Sequence, residues 1–141
     1  MATLSERKTE IENNGYTILE ETTGEAKSNV RPVYIDAIKV VDSNVATRRM
    51  FRLWENTNTG DCYYQESYPF KENSTQSYKQ ELEDFIESIK SNGVILSGFI
   101  EAYNSQQETA TVKTVMPDYT SKRYFLYKDQ DGNFQYEKMT G

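Results

Sequence analysis

The segment Tyr78-Lys-Gln-Glu-Leu-Glu-Asp-Phe-Ile-Glu-Ser-Ile-Lys-Ser91 decides the fold class of this 141-residue chain. Tyr78, Leu82, Phe85, Ile86 and Ile89 stand at i, i+4, i+7, i+8 and i+11, so every large apolar side chain falls on one helical stripe. Glu81, Glu83, Asp84, Glu87 and Lys90 take the other side. Ser77 with Gln80 has the spacing of a capping box, and Asn92-Gly93 stops the helix, because glycine enters the left-handed region without a Cβ clash. The other long periodic stretches read as strands. The expectation is an α+β fold: a mostly antiparallel, twisted sheet of about seven or eight strands in meander order, with this central helix on one face and a short N-terminal helix at an edge. Residues 1–141 are expected to form a single domain.

Working outward toward the N-terminus, Thr3 and Glu6 form a second capping-box pair, and Asn13-Asn14-Gly15 ends a short helix marked only by Leu4 and Ile11. Tyr16 to Glu21 reads as a strand, and Thr22 to Arg31 as a loop before Pro32. Val33 to Asp42 is β-branched, with an apolar parity that changes near Ala37, a pattern that suggests a bulge or burial on both faces. After a turn at Asp42-Ser43-Asn44, Val45 to Asn56 is a strand with Phe51 and Leu53 on one parity and Met50 and Trp54 on the other. The turn Thr57-Asn58-Thr59-Gly60 returns the chain into Asp61 to Ser67, which brings Trp54 opposite Tyr63.

Lys71 to Gln76 is a polar linker, and Asn73-Ser74-Thr75 within it matches a glycosylation acceptor that, without a secretory signal, marks only a polar loop. Beyond Gly93, strands are expected at Val94 to Asn104, Thr109 to Met116, Lys122 to Lys128 and Asn133 to Lys138, with joints short enough for antiparallel neighbours. Leu82, Phe85, Ile86 and Ile89 are expected to pack on Phe99, Val112 and Phe125. Ile11 to Leu19 and Ile89 to Leu96 each run from a helix end through Asn-Gly into a strand, so the chain can be read as two α-β-β-β-β halves. In order of elements alone, the second half resembles cystatin-like modules, in which a curved sheet wraps a helix.

Composition narrows the chemistry. There is no histidine, which removes the commonest general base, the Ser-His-Asp and Cys-His arrangements and most zinc or copper sites. Cys62 is the only cysteine, so no intrachain disulfide forms. The glycines stand singly, which leaves neither a P-loop nor a dinucleotide fingerprint. A formal charge of -6 disfavours nucleic acid and anionic membrane as partners. No apolar run spans a bilayer, and the first residues lack the apolar core of a signal peptide, so a soluble protein made in the cytoplasm is expected.

Asp36, in an apolar strand, is a candidate for carboxylate chemistry or for a structural ion pair with Lys39 or a neighbouring arginine. Asp129-Gln130-Asp131-Gly132-Asn133 partly resembles a calcium loop but fits a tight hairpin better. No catalytic residue, metal or cofactor is assigned. Arg48, Met50, Arg52 and Trp54 share one strand parity and have the composition of an interface hot spot; the alternative is that these arginines pair with the acidic helix face or with cross-strand glutamates such as Glu66. The expected function is a non-catalytic interaction or assembly module with a protein partner or a second copy of itself, such as a structural component of a virion or an inhibitor of another macromolecule. A second expectation is a small-ligand pocket lined by Tyr103, Tyr124, Tyr127 and Tyr136, and a third is a carboxylate-based enzyme.

Overall fold

The computed structural model describes residues 2–42, 45–70 and 77–139, and of Ser77 only the backbone. The turn at Ser43-Asn44, the linker Lys71 to Gln76, its acceptor-like Asn73-Ser74-Thr75 and the Ser77 side chain lie outside the described residues. Two helices and nine strands are described, all sheet pairing among them is antiparallel, and the strands form two sheets of five and four strands rather than one. The chain divides into two compact units, Met1–Lys39 with Arg49–Asn73, and Val40–Arg48 with Ser74–Gly141.

The first unit is built on helix α1 (Leu4–Asn13) and strands β1 (Thr17–Thr23), β2 (Val30–Asp42), β3 (Val45–Asn56) and β4 (Cys62–Tyr64), with the ends of β2 and β3 belonging to the second unit. The capping box at the start of α1 is present, Thr3 accepting from the Glu6 N–H and Glu6 from the Thr3 N–H. The helix is not an edge element. Ile11 and Tyr16 are buried in one cluster with Val33, Ile35 and Ala37 of β2, Phe51 and Leu53 of β3, and Cys62 of β4. Alternation along β2 and β3 aims these side chains at one face. Only two apolar residues mark α1, but Tyr16, just past its end, adds a ring that meets Phe51 edge-on at 5.1 Å. Arg7 also donates from Nε to the Cys62 carbonyl, tying the helix to β4.

The second unit contains β5 (Ser77–Lys79), α2 (Gln80–Ser91) and the meander β6 (Ser97–Asn104), β7 (Thr109–Val115), β8 (Ser121–Lys128), β9 (Phe134–Lys138). Ser77 is not at the N-cap position of the helix. It pairs with Thr47 in β5, and α2 starts behind Lys79, which offers no side-chain cap. Tyr78 is therefore a strand residue, buried but outside the helical stripe. Leu82, Ile86 and Ile89 are buried as expected, while Phe85 is half-buried against Phe134 and Tyr136 of β9. The register Ile100↔Val112↔Tyr124, with Ala110↔Leu126, gives the sheet one buried face. Phe125 is on the other face, 36% exposed and stacked on Tyr127, and Phe99 is half-buried opposite Lys113, so of the three expected helix partners only Val112 lies on the buried face. A register shift between Ile100 and Ala102 lets Tyr103 return to the buried side, where it meets the Tyr78 ring at 6.5 Å.

Both helices leave by the same turn. Tyr16 and Val94 donate to the carbonyls of Ile11 and Ile89, and Gly15 and Gly93 to those of Glu12 and Lys90. The two glycines have φ of 93° and 75°, the left-handed cap that a side chain would strain. A four-stranded meander belongs to each half, β5 standing outside the pattern and pairing with β3.

Candidate functional site

The parity of β3 places Phe51 and Leu53 under α1, and Arg48, Met50, Arg52 and Trp54 on the opposite face. That face is not uniformly open. Met50 is 7% exposed, and Arg48 is fully buried in the second unit. Arg48 donates from Nη1 to Glu83 Oε1, the Tyr78 hydroxyl donates to Glu83 Oε2 at 3.0 Å, and Arg48 Nη2 reaches Glu87 Oε1 at 3.3 Å. A charge taken out of water needs partners of this kind. Arg48 is thus an internal ion-pair residue and is withdrawn from the interface set, as is buried Met50. Glu83, placed on the solvated side of the helix by periodicity, turns out to be its buried acid. Arg49 pairs with Glu66 at 2.8 Å and lies over the Phe51 ring.

At the other end of the strand the same face opens. Trp54 sits directly across from Tyr63, and the two rings, with Val30, Pro32, Glu25 and Lys27, line a cleft of about 480 Å³ in the first unit. The Thr57 N–H bonds the Asn29 carbonyl at 2.8 Å, fixing the ladder register that carries Val30 and Pro32 alongside Trp54. Tyr63 is 46% exposed and Trp54 partly so. Lys27 and Val30 close a two-residue hairpin on Ser28 and Asn29, both at positive φ, which carries Lys27 to the cleft rim. The Trp54–Tyr63 pairing was legible in sequence. Val30, Pro32, Glu25 and Lys27 were not, because the stretch Thr22 to Arg31 reads as a loop ahead of a strand that in fact begins at Val30.

The four tyrosines proposed for a ligand pocket are divided between two faces. Tyr103, Tyr124 and Tyr136 lie on the buried side, Tyr124 and Tyr136 meeting edge-on at 5.7 Å, whereas Tyr127 stacks on Phe125 on the opposite side. Burial, reinforced by Tyr136, pushes the Tyr124 hydroxyl above its ordinary range. Asp36 is buried and engaged by polar or electrostatic contact. Burial pushes the Cys62 thiol up to about 11, with the Glu55 carboxylate adding to it. The Asp129 carboxylate accepts from the Asp131 and Asn133 N–H groups and from Gln135 Nε2, the last being the chief cause of its lowered pKa, so its oxygens serve the hairpin turn.

No described helix is long and apolar enough to cross a membrane. Comparison with protein-family models, curated proteins and solved structures finds no match for this chain.

Proposed function

We propose that the protein is a non-catalytic interaction module and that its contact surface is the cleft around Trp54 and Tyr63. The observation that carries this reading is the half-open pair of rings facing outward from the first sheet, beside Val30 and Pro32. Tryptophan and tyrosine dominate interface energetics because each covers a large area with few rotatable bonds and ends in a polar group. The surface suits a protein partner that inserts an apolar anchor between the rings, with Glu25 and Lys27 at the rim to select its polar neighbours. Within this reading the chain serves assembly, as a component of a larger complex such as a virion, or blocks another macromolecule by occupying its surface.

A photo-crosslinking amino acid at position 63 tests the proposal in an extract of the source cells. One dominant adduct that disappears when Trp54→Ala is added supports it. An adduct that forms equally from a crosslinker at Tyr119, on the other unit, contradicts it.

A further inference from the structure

We propose that the second unit carries an oxyanion site, formed by Lys122 and Lys138 at one end of its sheet, for a phosphate monoester with an apolar substituent. Lys138 stands across from Tyr124, and Lys122 lies two residues before Tyr124 on β8. The two lysines are therefore diagonal neighbours on one face, roughly 7 to 8 Å apart at Cα. Together with Met116, Pro117, Asp118 and Thr120 they line a pocket of about 340 Å³.

Charge sets the pair apart from the neighbouring cations of β8. Arg123, between them in sequence register, is held by Glu101 at 2.8 Å, and Lys128 by Glu81 at 2.6 Å and Glu108 at 3.1 Å. Among the described residues neither Lys122 nor Lys138 has a carboxylate at ion-pair distance. The acid within the pocket, Asp118, is hydrogen-bonded chiefly within its own turn, accepting the Thr120 hydroxyl at 2.6 Å and the Thr120 N–H at 3.1 Å, and it feels the Lys122 charge only as a weaker, longer-range attraction. Two neighbouring ammonium groups repel each other, and a bound dianion reverses the sign of that interaction by bridging them. A phosphate monoester carries close to two negative charges at neutral pH, with oxygens enough for both lysines, whereas a carboxylate neutralises only one. Met116 and Pro117 supply an apolar wall for the group the phosphate is attached to. The proposal is independent of the cleft in the first unit.

Calorimetric titration of the whole chain with phenyl phosphate at low salt tests it. Saturable binding is expected, weakened about tenfold or more by Lys122→Gln and by Lys138→Gln, as loss of a charge-assisted contact requires. Lys8→Gln, in the other unit, should leave affinity unchanged, and Asp118→Asn should tighten it. Inorganic phosphate should bind more weakly than phenyl phosphate, and acetate without saturation. Vesicles containing phosphatidic acid form a further arm: retention that needs both lysines assigns the phosphate to a lipid headgroup, and phenyl phosphate binding without retention assigns a soluble ligand. Circular dichroism confirms that each variant is folded. No saturable binding of either phosphate source, or equal affinity in the two lysine variants and the wild type, overturns the site.

Discussion

Arg48 and Glu83 set the terms at the scale of single residues. Both are buried, and each is the other's partner, with Tyr78 completing the Glu83 carboxylate. Removing one member leaves the other charged in a place without water, so Glu83→Leu alone should lower stability by about 3 to 5 kcal/mol. Replacing the set together, Arg48→Met with Glu83→Leu and Tyr78→Phe, should restore stability to near wild type, because the desolvation cost disappears along with the attraction. Denaturant unfolding measures both, and a single variant within about 1 kcal/mol of wild type would show the pair to be solvated. Cys62 gives a second check. Its folded pKa, about 11, lies above the ordinary 9.0, so its contribution to stability is complete below pH 9 and is lost as the pH climbs through 11. Buried and protonated, the thiol should resist a thiol-specific reagent at pH 8 in the folded protein and react at once in denaturant; rapid reaction without denaturant would place Cys62 outside the core.

Among the elements, the two helix exits carry the clearest prediction. Gly15 and Gly93 adopt positive φ, and a Cβ built at Gly93 meets nothing within 4 Å, so backbone strain alone opposes a side chain there. Gly93→Ala should cost about 1 kcal/mol in thermal unfolding, and a variant as stable as wild type would show that the cap relaxes. The Asp129 turn is tested by acid. Hydrogen bonds, chiefly from Gln135, hold its folded pKa below the ordinary value, so its contribution is present above the carboxylate range and is lost as pH falls through the depressed value. Asp129→Asn should therefore flatten the loss of stability as pH falls below the ordinary carboxylate range, and an unchanged acid limb would remove Asp129 from that account.

These same elements show what sequence can deliver. The capping box of α1, the glycine exits and the Trp54 to Tyr63 register depend on neighbours close in the chain, and all were legible, whereas the cap expected at Ser77 was not the one that starts α2. The division into two sheets was not legible. It depends on which strands pair over long sequence distances, and periodicity gives no sign that β5, just ahead of the helix, pairs with β3. Nor could periodicity show Glu83 as buried, because that depends on an arginine 35 positions earlier. Strand parity makes the outward face of β3 a single surface, yet it is buried at Arg48 and Met50 and more open toward Trp54.

At the scale of the whole molecule, each unit has its own helix and meander, and the account assigns them different surfaces, the ring-lined cleft to the first and the lysine pair to the second. Assembly through the cleft should appear in light scattering as a mass above that of one chain when the partner, or a second copy, is present. The central claim is that Trp54 belongs to a contact surface, and Trp54 is the only tryptophan in the chain, so its fluorescence reports on that surface alone. In a verified monomer the account predicts emission shifted to the red of a buried indole and quenched by acrylamide, with the quenching lost when the complex forms. Blue emission that acrylamide does not reach in the monomer, or quenching unchanged in the complex, would contradict it.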